Sequence, residues 1–209
     1  FINEIQSNPI DTSEFFCIPS SVSFNSLVFQ SASPFEKIQA HQSVLMYILS
    51  TNHLWEKVRG IGGAYGISGQ VDMLERLCTF QSYRDPRISK TIQDINDSLK
   101  RIGEQGIDQS LVDNAIITII SRELRPEYPQ RAAMVDFRRT LYHINDEFRN
   151  MRREFLLETT NADIQKAAQA MIESLTHQKS CVAIAGSEIF EKEKNEPLLK
   201  DKEIVTLSV

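Results

Sequence analysis

From Phe15 to Ser31 the run FFCIPSSVSFNSLVFQS is dense in Phe, Val and Ser, and alternates at Val22 and Phe24. That pattern predicts one or two strands, with Pro19 marking an edge or a break between them. A polar lead-in, residues 1–13, precedes it. After it, Ser33, Pro34 and Glu36 have the chemistry of an N-cap, a first helical residue and an acidic first turn. Ile38, His41, Leu45, Ile48, Leu49, Leu54, Trp55 and Val58 then hold a roughly helical spacing almost to Arg59.

Glycine ends that helix. Strands are predicted over Ala64 to Val71 and, from the alternation of Leu77, Thr79, Gln81 and Tyr83 against Cys78, Phe80 and Ser82, over Glu75 to Tyr83. Asp85 and Pro86 suit the start of another helix. Helices follow over Pro86–Gly103, Asp108–Leu124, Gln130–Leu157 with a break midway, and Ala162–Thr176. Gly103, Gly106, Pro126 and Pro129 punctuate the junctions. A late strand, Ser180–Ala185, stops at Gly186. Residues 187–209 hold a short helix, Glu188–Lys194, a charged tail and a final apolar EIVTLSV. Strands do not alternate one for one with helices. The order predicts an α+β domain, a two-layer sandwich of a mostly antiparallel sheet packed on helices.

Composition narrows the partners. The 209 residues are enough for one domain with a sizeable core. A formal charge of −5 gives no electrostatic argument for nucleic acid or a membrane surface. Apolar runs such as Val44–Leu49 and Ala115–Ile120 fall far short of the ~20 residues of a membrane helix, so no membrane insertion is expected. Cys17, Cys78 and Cys181 lie far apart in apolar or strand-like runs and form neither a CxxC pair nor a disulfide framework. The N-terminus, FINEIQSNPI, has no initiator Met or signal core, the expectation for a chain cut from something longer.

The densest chemistry lies in VRGIGGAYGISG, Val58–Gly69, which holds five of the eight glycines beside Arg59 and Tyr65. A dinucleotide loop is excluded, because Tyr65 stands where the third glycine belongs and a helix enters the cluster while a strand leaves it. Two readings remain. In one, Gly60 caps the helix in a left-handed conformation, Arg59 is a solvated last-turn cation and Tyr65 an ordinary strand aromatic. In the other, the bared backbone admits a second chain, and Arg59 and Tyr65 offer it directional donors. A phenol aimed at a carbonyl under attack strengthens its bond as oxyanion character develops.

Two motifs bear on the choice: Arg-x-x-Gly-Gly-Ala-Tyr-Gly at Arg59–Gly66 and Ser-Tyr-Arg-Asp-Pro at Ser82–Pro86. Together they make Leu54–Pro86 resemble the C-terminal half of the insulinase/pitrilysin zinc metallopeptidases, most of all the presequence-protease and falcilysin branch. The order of segments from Phe15 to Gly186 is similar to one whole domain of that family. The resemblance implies a processing-peptidase-like metallohydrolase domain spanning 1–209, the fourth of four in a clamshell enzyme that degrades unfolded oligopeptides.

It also implies zinc on an inverted His-x-x-Glu-His helix in the N-terminal half of the same polypeptide. Substrate and transition-state contacts then fall to Arg59 and Tyr65, and the turn and close backbone approach to Gly62, Gly63 and Ala64. None of His41, His53, His143 and His177 opens a His-x-x-Glu-His motif, so no metal ligand is expected in this chain, which alone should be inactive. Asp146, Glu147, Glu154 and Glu158, interleaved with Arg149, Arg152 and Arg153, read as solvated helix faces. The alternatives are a catalytically inactive relative that binds peptide or acts as a chaperone-like subunit, and a purely structural domain. The expected compartment is cytoplasm or an organelle matrix.

Overall fold

The computed structural model describes residues 12–177 and 179–207; the first eleven residues of the lead-in lie outside them. The strands are β1 (Thr12–Cys17), β2 (Ser23–Gln30), β3 (Gly66–Asp72), β4 (Leu77–Asp85), β5 (Lys179–Ala185) and β6 (Ile204–Thr206). The helices are α1 (Lys37–Ile48), α2 (Ser89–Gln105), α3 (Gln109–Glu123), α4 (Pro129–Leu141), α5 (Asp146–Leu157), α6 (Asn161–His177) and α7 (Ser187–Glu193). One sheet runs β3-β4-β2-β5-β1-β6. The pairs β3–β4, β4–β2 and β2–β5 are antiparallel, and β1 runs parallel to both β5 and β6. The α+β two-layer architecture is as expected, and the sheet is mixed.

Two local expectations are corrected, the break expected within Gln130–Leu157 is met, and the tail gains a strand. The helix after β2 starts at Lys37, with Glu36 as N-cap, because Ser33 to Glu36 is spent on a turn closed by Glu36 N–H to the Ser33 carbonyl, 3.0 Å. Beyond Ile48 the chain winds in wider π-type turns, Leu49–His53 and Trp55–Ile61. The segment Gln130–Leu157 is two helices, separated at His143, whose φ is 56°. The apolar end of the tail is a sixth strand, Ile204–Thr206, added in parallel beside β1.

The helices cover one face of the sheet. Leu27 and Phe29 of β2, Cys78 and Phe80 of β4 and Cys181 of β5 meet Val44, Leu45 and Met46 of α1 and Ala167, Ala168 and Met171 of α6 in the main core. A smaller cluster, Phe15, Ile88, Ala183, Ile189 and Phe190, seats α7. Burial pushes the thiol of Cys78 up to about 12 and that of Cys181 to about 11, so both stay neutral. The arginines of α5 are not solvated as expected. Arg152 donates to Gln39 Oε1 at 2.7 Å and Ser43 Oγ at 3.0 Å on α1, and Arg149 and Arg153 converge on Glu123 of α3.

Candidate functional site

The opposite face of the sheet has no helix on it, and one end of it is turned inside out. Along β2 the buried positions are Ser23, Asn25, Leu27 and Phe29, and Phe24, Ser26, Val28 and Gln30 alternate onto the open side. Near the glycine cluster this puts polar Ser23 and Asn25 inside and Phe24 outside. In β4 the same inversion buries Ser82 and exposes Tyr83. Phe24 pairs with Tyr83 in register, and their rings meet edge to face at 5.3 Å. Aromatic groups on the solvent side of a sheet, above polar groups on its core side, reverse what stability alone would select.

The seat of Asp85 depends on Arg84. At this residue the β2–β4 register slips, so that Phe24 faces Tyr83 while the next β2 position, Ser23, faces Asp85. The extra residue is a bulge, with Arg84 at φ 50°. Without it Asp85 would share the open face with Tyr83; with it Asp85 is fully buried. There its carboxylate accepts from Thr91 Oγ1 at 2.7 Å and from the Arg87 N–H at 3.0 Å. Burial raises the Asp85 pKa above the ordinary carboxylate value, opposed by those hydrogen bonds, by Ser82 and by the Arg87 charge.

The two sequence motifs close on each other here. The Tyr65 N–H donates to the carbonyls of both Tyr83 and Arg84, at 3.1 and 3.2 Å. Gly62 N–H, Gly63 N–H and Ala64 N–H turn back onto the helix end, to the carbonyls of Lys57, Arg59 and Val58. The left-handed residue is Gly63, at φ 82°, and not Gly60 as the cap reading expected, because the helix continues to Ile61. Gly62 has an ordinary helical φ of −76° and is needed for space. A Cβ there would lie 1.8 Å from Arg87 Nη2.

Arg59 is exposed, yet not simply solvated. Its guanidinium lies 5.2 Å from the Trp55 ring and 5.7 Å from the Tyr65 ring, contacts worth about 0.5–1 kcal/mol each at exposed positions. Tyr65 packs edge-on against Tyr83 at 5.8 Å. A line of rings and guanidinium, Trp55–Arg59–Tyr65–Tyr83–Phe24, thus leads from the helix end across the edge of the sheet. It borders a groove of about 550 Å³ lined by Phe24, Arg59, Tyr65, Gly66, Gln81, Tyr83 and Ile184, among others. Among the described residues no carboxylate lines it. Tyr65 is 65% exposed, so its phenol is free to meet a ligand.

Of the five residues singled out in the sequence, Arg59 and Tyr65 line this groove. Gly62, Gly63 and Ala64 do not; Ala64 is buried in the main core. Sequence reasoning missed Tyr83 and Phe24 as groove aromatics and Trp55 as the ring behind Arg59. The signal available was the alternation of β2 and β4, which places Phe24 and Tyr83 opposite Leu27 and Phe80. Among the described residues no group of three or more His, Cys, Asp or Glu is placed to hold a metal ion.

Residues 13–188 match the family described as PreP C-terminal domain. The chain belongs to that family. It is 28% identical over 183 residues to presequence protease 1, chloroplastic/mitochondrial, of Arabidopsis thaliana, covering 88% of this chain and 17% of the relative. The mitochondrial presequence protease of Eremothecium gossypii is 27% identical over 172 residues, covering 82% and 17%. This chain therefore spans less than one fifth of the length of these relatives. Among solved structures, the peptidase M16 inactive domain from Pseudomonas fluorescens superposes with a TM-score of 0.64 at 16% identity, over 84% of this chain and 44% of that one. That likeness is one of fold. No helix among the described residues is long and apolar enough to cross a membrane.

Proposed function

We propose that this chain is the C-terminal, non-metal-binding domain of a zinc-dependent endopeptidase that degrades unfolded oligopeptides, the fourth domain of a longer polypeptide. The observation that carries the reading is the exposed Arg59–Tyr65 pair at the mouth of an acid-free groove, in a chain of the PreP C-terminal domain family. The described residues offer zinc no ligand set, so the metal chemistry belongs to other parts of the polypeptide. What this chain supplies is hydrogen bonding and charge.

A peptide lying along the groove meets three kinds of group. The Tyr65 hydroxyl donates to a substrate carbonyl, a bond that strengthens as negative charge develops on that oxygen. Arg59, braced between Trp55 and Tyr65, orients the phenol or a neighbouring carbonyl. Phe24, Tyr83 and Ile184 form an apolar wall for a side chain. Gly62, Gly63 and Ala64 hold the turn that sets the distance between the guanidinium and the phenol. The chloroplastic and mitochondrial names of the relatives favour work in an organelle matrix or a comparable aqueous compartment.

The test is Tyr65→Phe in the full-length polypeptide, followed by oligopeptide cleavage. The expected outcome is a fall in kcat of about 10²–10³, the cost of one lost oxyanion donor, with little change in KM. Unchanged kcat and KM remove Tyr65 from the mechanism. Tight peptide binding without any cleavage by the unaltered full-length protein returns the non-catalytic alternative.

A further inference from the structure

Beneath the glycine turn lies a buried guanidinium that the chemistry above does not use. Arg87 follows the Ser-Tyr-Arg-Asp-Pro motif, in the linker between β4 and α2. Its Nη1 donates to Asp94 Oδ2 at 3.1 Å, and its Nε sits 3.7 Å from Asp85 Oδ1, beyond hydrogen-bond reach. Buried Nε and Nη2 have no hydrogen-bond partner among the described residues. Leaving charged donors unpartnered in a protein interior is costly, and such groups are kept where they do something else.

What Nη2 does is press on the turn. A Cβ built on Gly62 would stand 1.8 Å from Nη2 and 2.3 Å from Cζ, so the guanidinium lies directly against the Gly62 backbone. The neighbouring Gly63 rests over Pro86, whose Cγ would be 3.5 Å from a Cβ added there. Arg87 is itself anchored at its backbone. Its carbonyl accepts from Ser23 Oγ and Asn25 Nδ2, both at 2.8 Å, and its N–H donates to Asp85. Asn25 Nδ2 also donates to Ser82 Oγ at 2.9 Å. The polar residues buried by the inverted end of the sheet thus hold the backbone of one residue, Arg87.

We propose that Arg87 is a positioning residue for the Arg59–Tyr65 pair. It ties β2 through Ser23 and Asn25, and α2 through Asp94, to the underside of the turn that separates guanidinium from phenol. Two of the three atoms nearest a Cβ built on Gly62, the residue midway between the members of the pair, belong to the Arg87 side chain. The inference rests on the reading of Arg59 and Tyr65 as substrate contacts, and its own geometry can be measured apart from that reading.

Trp55 is the only tryptophan of the chain, and the Arg59 guanidinium lies over its ring. In the 209-residue chain, Arg87→Met is expected to release Arg59 from Trp55. The release reads as a shifted emission maximum and easier acrylamide quenching, while thermal melting still reports a cooperative fold. Arg87→Lys keeps a charge for Asp94 without the planar fork beneath Gly62, and it gives the same change in smaller measure if Arg87→Met fails to fold. In the full-length polypeptide Arg87→Lys lowers kcat, by up to the ~10²-fold that a 1 Å misplacement costs, with KM little changed.

Trp55 emission and quenching identical to the unaltered chain in folded Arg87→Lys or Arg87→Met overturn the proposal. So does full kcat in Arg87→Lys when Tyr65→Phe is impaired. If Tyr65→Phe leaves cleavage intact, the functional reading falls, and the Trp55 measurement alone still decides whether Arg87 holds the turn.

Discussion

Single residues in the glycine turn have separable physical jobs, and substitution tells them apart. Gly63 is needed for its left-handed φ of 82°, so Gly63→Ala is expected to cost about 1–2 kcal/mol by the shift in urea midpoint. Gly62 is needed for room. Gly62→Ala drives a methyl into Arg87 Nη2 and the Val58 carbonyl, an overpacking expected to cost about 1–3 kcal/mol. Gly60 meets only the Trp55 carbonyl, at 3.9 Å, and Gly60→Ala should leave the midpoint nearly unchanged. His41 supplies a pH dependence. It is buried, and burial lowers its pKa from 6.5, reinforced by Lys37 and Lys166 and opposed by Asp163. A base with a depressed folded pKa binds fewer protons folded than unfolded, so stability is full above about 6.5 and is lost as pH falls through the folded value. His41→Gln should reduce that acid limb in pH-dependent urea melts, leaving the part due to His53, which burial also lowers.

Elements meet through polar contacts that their own sequences do not announce. α5 carries six charged residues among its twelve and reads as a solvent face, yet Arg152 is half-buried against Gln39 and Ser43 of α1. Arg152→Leu strands those partners and should lower the urea midpoint by the equivalent of about 1–3 kcal/mol. Arg149→Leu disturbs a half-exposed pair with Asp146 and Glu123 and should matter less. The π-type turns were legible only in part. Leu49 and Leu54, both fully buried, are five apart, the π spacing, within a run otherwise spaced for an α-helix. Local propensity cannot choose between the two windings. The choice falls to the core, which takes Leu54 and Val58 together and so carries Trp55 and Arg59 outward.

Across the whole molecule, the helix layer leaves one sheet face open, and a single row of paired residues crosses it: Tyr83, Phe24, Ile184, Phe16 and Val205, each in register with the next. The row is continuous with the groove beside Arg59 and Tyr65. Ile184 is half-buried on that open face, so Ile184→Ser should cost less than the ~2–5 kcal/mol expected for Leu27→Ala on the fully buried helix side. In the full-length polypeptide Ile184→Ser should raise KM for peptides with large apolar side chains more than for small polar ones.

Period, punctuation and motif are local properties, and they were enough to place β2, β4, α2, α3, α6 and α7 near their observed bounds and to single out Arg59 and Tyr65. Cap chemistry misled at Ser33 and Gly60, where the backbone hydrogen bonds of the turns prevailed over side-chain preference. The parallel seat of β1 between β5 and β6, the bulge at Arg84 that sends Asp85 inward, and the seating of Arg87 under Gly62 depend on partners far away along the chain. Pairing energy is shared between segments, and a bulge or a packed guanidinium is fixed by the segment that lies against it. No window of sequence contains both sides of such a contact, and the tertiary structure alone decided them.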